Sequence, residues 1–219
     1  MIVLALDTAG IACQAALFDA DSGRVLGHVS EEIGRGHAER LMEAVDGALA
    51  AACLDLDAVD RVAVTVGPGS FTGIRVGVAA ARGLALALGK PCVGVSVLQA
   101  LAVAAIPEAG GRPILSLLDA KREELYLQPF SGEGTALAAP LACEIDAAKR
   151  AYGGFEGLLV GSGAAWLRGE GASERPDVAE IGVVAALGAK ADVLSDLPKP
   201  LYLRGPDVRS QAGFAVARA

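Results

Sequence analysis

The chain has 219 residues, 53% of them hydrophobic and 21% charged, a composition that excludes a disordered protein and supports a buried core. Its 19 basic and 26 acidic residues leave a net charge of −7, the wrong sign for holding nucleic acid by phosphate neutralisation, so any RNA role must run through a partner. The four cysteines, Cys13, Cys53, Cys92 and Cys143, fit neither a CxxC metal or redox pattern nor a compact disulfide framework, and they read as buried free thiols.

The opening MIVLALD has no basic leader, and Asp7 interrupts its apolar run too early for a signal peptide. No uncharged apolar run reaches the roughly 18 residues of a membrane span, and the expectation is a cytoplasmic protein without a membrane segment. Residues 2–6, 12–18 and 24–30 predict three strands, the last two joined by the turn residues of 19–23. A helix follows over 38–53, with Leu41, Val45, Ala48, Leu49 and Ala52 on one stripe. Residues 61–66 predict a buried parallel strand, which Gly67-Pro68-Gly69-Ser70 breaks before a long helix at 71–88. A short strand at 92–95 and a helix at 97–106 complete a βββαβαβα order, a sheet that begins antiparallel and continues parallel through right-handed crossovers. From 107 the texture changes. Gly110-Gly111 reads as a linker, followed by strands at 113–118 and 124–130, a polar loop at 131–140, and short helices near 144–152 and 178–190. The expectation is a first lobe over 1–106 and a second over 107–219, with the last helix able to pack back on the first.

Charge is unevenly spread. Residues 61–106 contain no acid at all, so that stretch is either deeply buried or faces something negative. Within it, GPGSFTGIRVG at 67–77 leads from a strand into a helix, a geometry that offers backbone N–H groups to an anion but is neither a Walker A loop nor a GxGxxG. A tight turn capped by Ser70 or Thr72 serves equally well as its explanation. Gly73, Gly77 and Ala81 recur every four residues, which means either close packing on the chain's own sheet or docking against another subunit. Arg75 and Arg82 supply the charge on a neighbouring face. Asp7-Thr8 ends the first strand, where an acid can stand near a metal-phosphate complex or simply form a turn. With His28 and His37 the only histidines, neither a zinc site nor a serine-histidine triad is visible. Residues 119–124 read as a charged hairpin turn, and 197–208 as a surface strand or a tail that packs elsewhere.

Six segments in chain order, LALDTA at 4–9, GHAERLM at 36–42, GPGSFTGIRVGVAAARGLA at 67–85, KPCVGVSVLQAL at 90–101, DAKREELY at 119–126 and PLYLRGPDV at 200–208, resemble the TsaB (YeaZ) family. The resemblance spans nearly the whole chain. It implies α/β architecture of the two-lobed actin-like (ribonuclease H-like) ATPase type, with a degenerate C-terminal lobe. It also implies a part in making tRNA threonylcarbamoyladenosine beside the catalytic paralogue TsaD and the ATPase TsaE, with a homodimer when the chain is alone. TsaD carries an HxxxH metal motif after its next strand, whereas residues 94–101 here read GVSVLQAL, so no metal and no catalytic residue is expected. No cofactor of the chain's own is expected, ATP and tRNA being handled by the complex; a vestigial nucleotide site would involve Asp7, Thr8, Gly67, Gly69 and Ser70. The partner interface is expected on Gly73, Arg75, Val76, Gly77, Ala80, Ala81 and Arg82, with His37, Arg40 and Leu41 beside them. On that expectation Gly77→Leu breaks association and leaves the monomer folded. Two competitors stand beside this reading: a stand-alone ATP-dependent kinase or hydrolase, and a homodimeric interaction protein with a relic cleft.

Overall fold

The computed structural model describes residues 1–171, 177–193 and 196–204. The first sheet has the order β3-β2-β1-β4-β5. Its strands are β1 (Ile2–Asp7), β2 (Ala12–Asp19), β3 (Arg24–Glu32), β4 (Arg61–Gly67) and β5 (Cys92–Ser96). β1, β2 and β3 pair antiparallel, while β4 pairs parallel to both β1 and β5. Strand periodicity divides β1 between two cores. Leu4 and Leu6 face α1 (His37–Ala52) and α2 (Phe71–Leu88), where Leu41, Val45, Ile74 and Val78 meet them. Val3 and Ala5 face the opposite side, packed with Ala16, Ala63 and Val93 against Ile181, Val184 and Ala185 of α7 (Ile181–Lys190). The small residues there let α7 close up, since a Cβ on Gly188 would stand 2.3 Å from that of Ala63. β3 is an edge strand carrying Arg24, Glu31 and Glu32, which discourages pairing with a further chain.

The C-terminal end of α7 is held by one side chain. Arg61 Nη1 lies 2.9 Å from the carbonyls of Gly188, Ala189 and Ala191, the groups a helix end leaves without partners. Arg61→Ala is expected to lower stability by about 2 kcal/mol, read as a shift of the urea midpoint, with Arg61→Lys recovering part of it.

The second sheet, β8-β7-β6-β9, joins β6 (Ile114–Lys121), β7 (Glu124–Phe130), β8 (Leu141–Glu144) and β9 (Leu158–Val160). α5 (Ile145–Tyr152) and α6 (Ala164–Arg168) cover one face, over Leu115, Leu117, Leu125 and Leu127. The sheets are tied by α3 (Val97–Ala104), where Ser116 Oγ donates to the Leu98 carbonyl at 2.8 Å. Together they form the two-lobed α/β architecture expected for the actin-like class.

Three details differ from the expectations. The helix expected over 97–106 divides, because Pro107 starts a separate short helix, α4 (Ile106–Ala109). β8, β9 and α6 lie in stretches without usable periodicity and were not expected. Cys13 and Cys92 are buried, and burial pushes both thiols up to about 11, but Cys53 is exposed and Cys143 only half-buried. Cys53 follows the last turn of α1 in a left-handed conformation, beyond the helix's buried stripe.

Candidate functional site

The glycine turn is a joint between β1 and α2. Ser70 caps α2, its hydroxyl accepting from Gly73 N at 3.2 Å, and Ser70 N donates to the Ala9 carbonyl at 2.7 Å. Thr8 Oγ1 donates to the Gly73 carbonyl at 2.7 Å. The backbones come so close that a Cβ would lie 2.3 Å from Ala9 O at Gly69, 2.0 Å from Thr8 O at Gly73 and 2.5 Å from Thr8 Oγ1 at Gly77. The four-residue stripe is therefore close packing inside the chain, and Ala81 continues it with no exposed surface. This corrects the expected interface: Gly73, Gly77 and Ala81 face the chain's own core, as do Leu41 and His37 at the start of α1. Thr8 and Gly67 are likewise corrected as cofactor contacts, Thr8 being buried against α2 and Gly67 packed beside Ile74 and Leu201.

Beside this joint lies a cavity of about 510 Å³ between the lobes, lined by Asp7, Gly69, Ser70, Asp119, Lys121, Ser162 and Asp177 among others. Asp7 is fully occupied within it. It accepts from Thr65 Oγ1 at 2.5 Å, Ala9 N at 2.9 Å and Gln14 Nε2 at 3.0 Å. Burial nevertheless pushes its carboxyl above the ordinary aspartate range, against the pull of those donors. Asp177 accepts from the N–H and the hydroxyl of Ser162, and that hydroxyl in turn accepts from Asp119 N at 2.9 Å. Burial pushes Asp177 up as well, with Asp119 adding to the rise.

Part of the anion-binding capacity expected of this turn is used within the chain. Two amide donors at the start of α2, Ser70 N and Gly73 N, are spent inside the chain, and Asp177 O would stand 2.7 Å from a Cβ on Gly10 in the β1–β2 loop. Three carboxylates share the lining with Lys121, whose ammonium already pairs with Asp119 at 3.0 Å. Among the described residues, no three His, Cys, Asp or Glu side chains are grouped to hold a metal ion.

The raised carboxyls have a consequence for stability. A folded value above the ordinary 3.8 means the folded state holds the proton more tightly than the unfolded chain does, so this contribution is complete below 3.8 and lost as pH rises through the folded value. Wild type is expected to lose urea resistance relative to Asp177→Asn as pH rises over the range above the ordinary aspartate value of 3.8. A constant difference between the two proteins across that range would contradict the burial of a charged Asp177.

The surface of α2 that faces away from the sheet runs Phe71, Arg75, Ala79, Arg82, Gly83 and Leu86. Leu86 is 84% exposed, Phe71 52%, and Met42 on neighbouring α1 43%. Val76 and Ala80 border this face half-buried. α2 has the length and hydropathy of a membrane span, yet its inner side is packed on the first sheet. Arg75 is exposed, as expected, but it is engaged within the chain. Its guanidinium stacks 3.6 Å from the Phe71 ring centroid, and Nε donates to Tyr202 Oη at 2.8 Å. Arg40 pairs at the surface with Glu31 and Glu43, at 2.8 and 2.5 Å.

Comparison with known proteins agrees with this geometry. Residues 20–207 match the family model described as TsaD, tRNA N6-adenosine threonylcarbamoyltransferase. The solved structure of YeaZ from Pseudomonas aeruginosa superposes with a TM-score of 0.71 at 30% identity, over 86% of this chain and 90% of that one. The chain belongs to the TsaB (YeaZ) family. TsaB from Escherichia coli, named as a tRNA threonylcarbamoyladenosine biosynthesis protein, is 38% identical over 126 residues, 58% of this chain and 53% of that protein. The chain thus spans about half the length of the curated TsaB relatives it matches. A tRNA N6-adenosine threonylcarbamoyltransferase from Jannaschia is 51% identical over 70 residues, only 20% of its length. In this TsaB-family chain, the strand-helix junction at residues 94–101, from β5 into α3, carries no histidine.

The sequence reading missed the exposed apolar stripe and the Asp119–Ser162–Asp177 group. The stripe had a signal, because α2 is apolar on all sides while only one side can lie on a sheet. The trio had none, since its members come from β6, the turn after β9 and the segment before α7.

Proposed function

We propose that this chain is a non-catalytic accessory subunit in the making of tRNA threonylcarbamoyladenosine, one that docks the catalytic TsaD through the outward face of α2. The observation that carries this reading is the exposed run of Phe71, Ala79, Gly83 and Leu86 on one face of α2, with Met42 alongside. Its small residues permit helix-to-helix approach, and Leu86 supplies an apolar anchor. A two-fold axis can bring two copies of the same face together, and on this reading that surface pairs two chains when TsaD is absent. ATP is consumed by the complex, with TsaE as the ATPase, and tRNA reaches this chain only as part of that assembly, in the cytoplasm. The filled joint at Asp7 and the acidic cavity support an accessory role over an independent kinase or hydrolase. Sedimentation of the chain alone and with TsaD tests the reading: self-association giving way to a one-to-one complex is expected, and a chain that stays monomeric with TsaD present overturns it.

A further inference from the structure

The segment from residue 197 to residue 204 crosses from one lobe to the other. Pro198 lies against Gly94 of β5, where a Cβ would be 3.2 Å from the proline Cβ, and Leu201 N donates to the Val66 carbonyl at 2.7 Å. Leu203 packs on the first core. Between them Tyr202 turns outward onto the first turn of α2. Its ring centroid is 5.3 Å from that of Phe71, and its hydroxyl accepts the Arg75 Nε hydrogen. Two residues later Arg204 reaches the other lobe, where it donates to the Glu124 carboxylate and to the Lys121 carbonyl.

What Arg204 grips is a strained turn. Lys121, Arg122 and Glu123 have φ of 62°, 57° and 62°, three successive left-handed residues with no glycine, asparagine or aspartate among them. Such a turn persists only where its surroundings hold it. Here Asp119 accepts from Lys121 N at 2.7 Å and from Lys121 Nζ at 3.0 Å, Ile145 N donates to the Glu123 carbonyl at 2.9 Å, and Arg204 holds the Lys121 carbonyl and the Glu124 carboxylate. Asp119 and Lys121 also line the interlobe cavity.

We infer that residues 197–204 are a latch that couples the outward face of α2 to the 121–123 turn at the edge of the cavity. The two anchors share one short stretch of backbone, since two residues of chain span at most about 7 Å. Lifting Tyr202 from Phe71 and Arg75 draws Arg204 from Glu124 and lets the strained turn relax. Phe71 is 52% and Tyr202 47% exposed, so an occupant of the α2 face reaches the latch directly; that last step rests on the docking reading, while the coupling is a property of the isolated chain.

The test is hydrogen exchange by mass spectrometry on the full chain without any partner, at a concentration where sedimentation shows monomer. Arg204→Ala is expected to speed exchange of the 121–124 amides about tenfold, and Tyr202→Ala to speed the same amides at least about threefold although it touches none of them. β1 amides serve as the folding control. Should Tyr202→Ala loosen β1 too, the exposed Arg75→Ala replaces it with the same expectation. The latch is overturned if either Arg204→Ala or the α2-side variant leaves the 121–124 amides at wild-type rates.

Discussion

Gly77→Leu is expected to unfold the chain, or to leave it so unstable that association cannot be measured. A Cβ there would stand 2.5 Å from Thr8 Oγ1, with Val64 Cγ2 at 3.4 Å behind it, and leucine adds three more carbons to a joint that has no room for one. Overpacking a closed core costs about 1–3 kcal/mol and sometimes more, and here it also breaks the Thr8 hydroxyl's bond to the Gly73 carbonyl. That is a large part of an ordinary domain's total stability. Loss of the far-ultraviolet helical signal, or a thermal midpoint lowered by many degrees, is the expected readout. A stably folded monomer that merely fails to associate would restore the reading in which this stripe faces a partner.

Gly83→Leu, six residues along the same helix, is expected to do the opposite. A Cβ at Gly83 meets nothing within 4 Å, and leucine favours a helix over glycine by about 1 kcal/mol, so the monomer folds at least as well as wild type. On the outward face, however, the new side chain fills the gap between Ala79 and Leu86 that a facing helix must occupy. Self-association and binding to TsaD are both expected to weaken at least about tenfold, seen as a monomer by sedimentation beside an unaltered circular dichroism spectrum. A Gly83→Leu protein that dimerises and binds TsaD as wild type does would move the interface off α2.

These two glycines show how far the sequence could be read. The spacing of Gly73, Gly77 and Ala81 correctly announced that something approaches α2 closely, but a four-residue period marks a face without saying what lies against it. For Gly73 and Gly77 the neighbour is Thr8, more than sixty residues away in sequence, and only the pairing of β1 with β4 brings it there. The first lobe was legible because its elements carry clear signals, from the continuous apolar run of β1 to the Ser70 cap and Gly89 stop of α2. β8, with four residues, and β9, with three, carry too few side chains for a period to show. Arg75 was visible as a charge on a surface helix. Its partner Tyr202 is 127 residues distant, and no local pattern could have supplied it.

The most direct test of the account is a reconstituted modification reaction containing TsaD, TsaE, a threonylcarbamoyl donor, ATP and tRNA, with this chain omitted, added, or replaced by Gly83→Leu. The account predicts no product from the chain without TsaD, product when wild type is combined with TsaD and TsaE, and at least about a tenfold loss with Gly83→Leu at equal concentration. Product formed by the chain without TsaD, or a wild-type rate from Gly83→Leu, would contradict it.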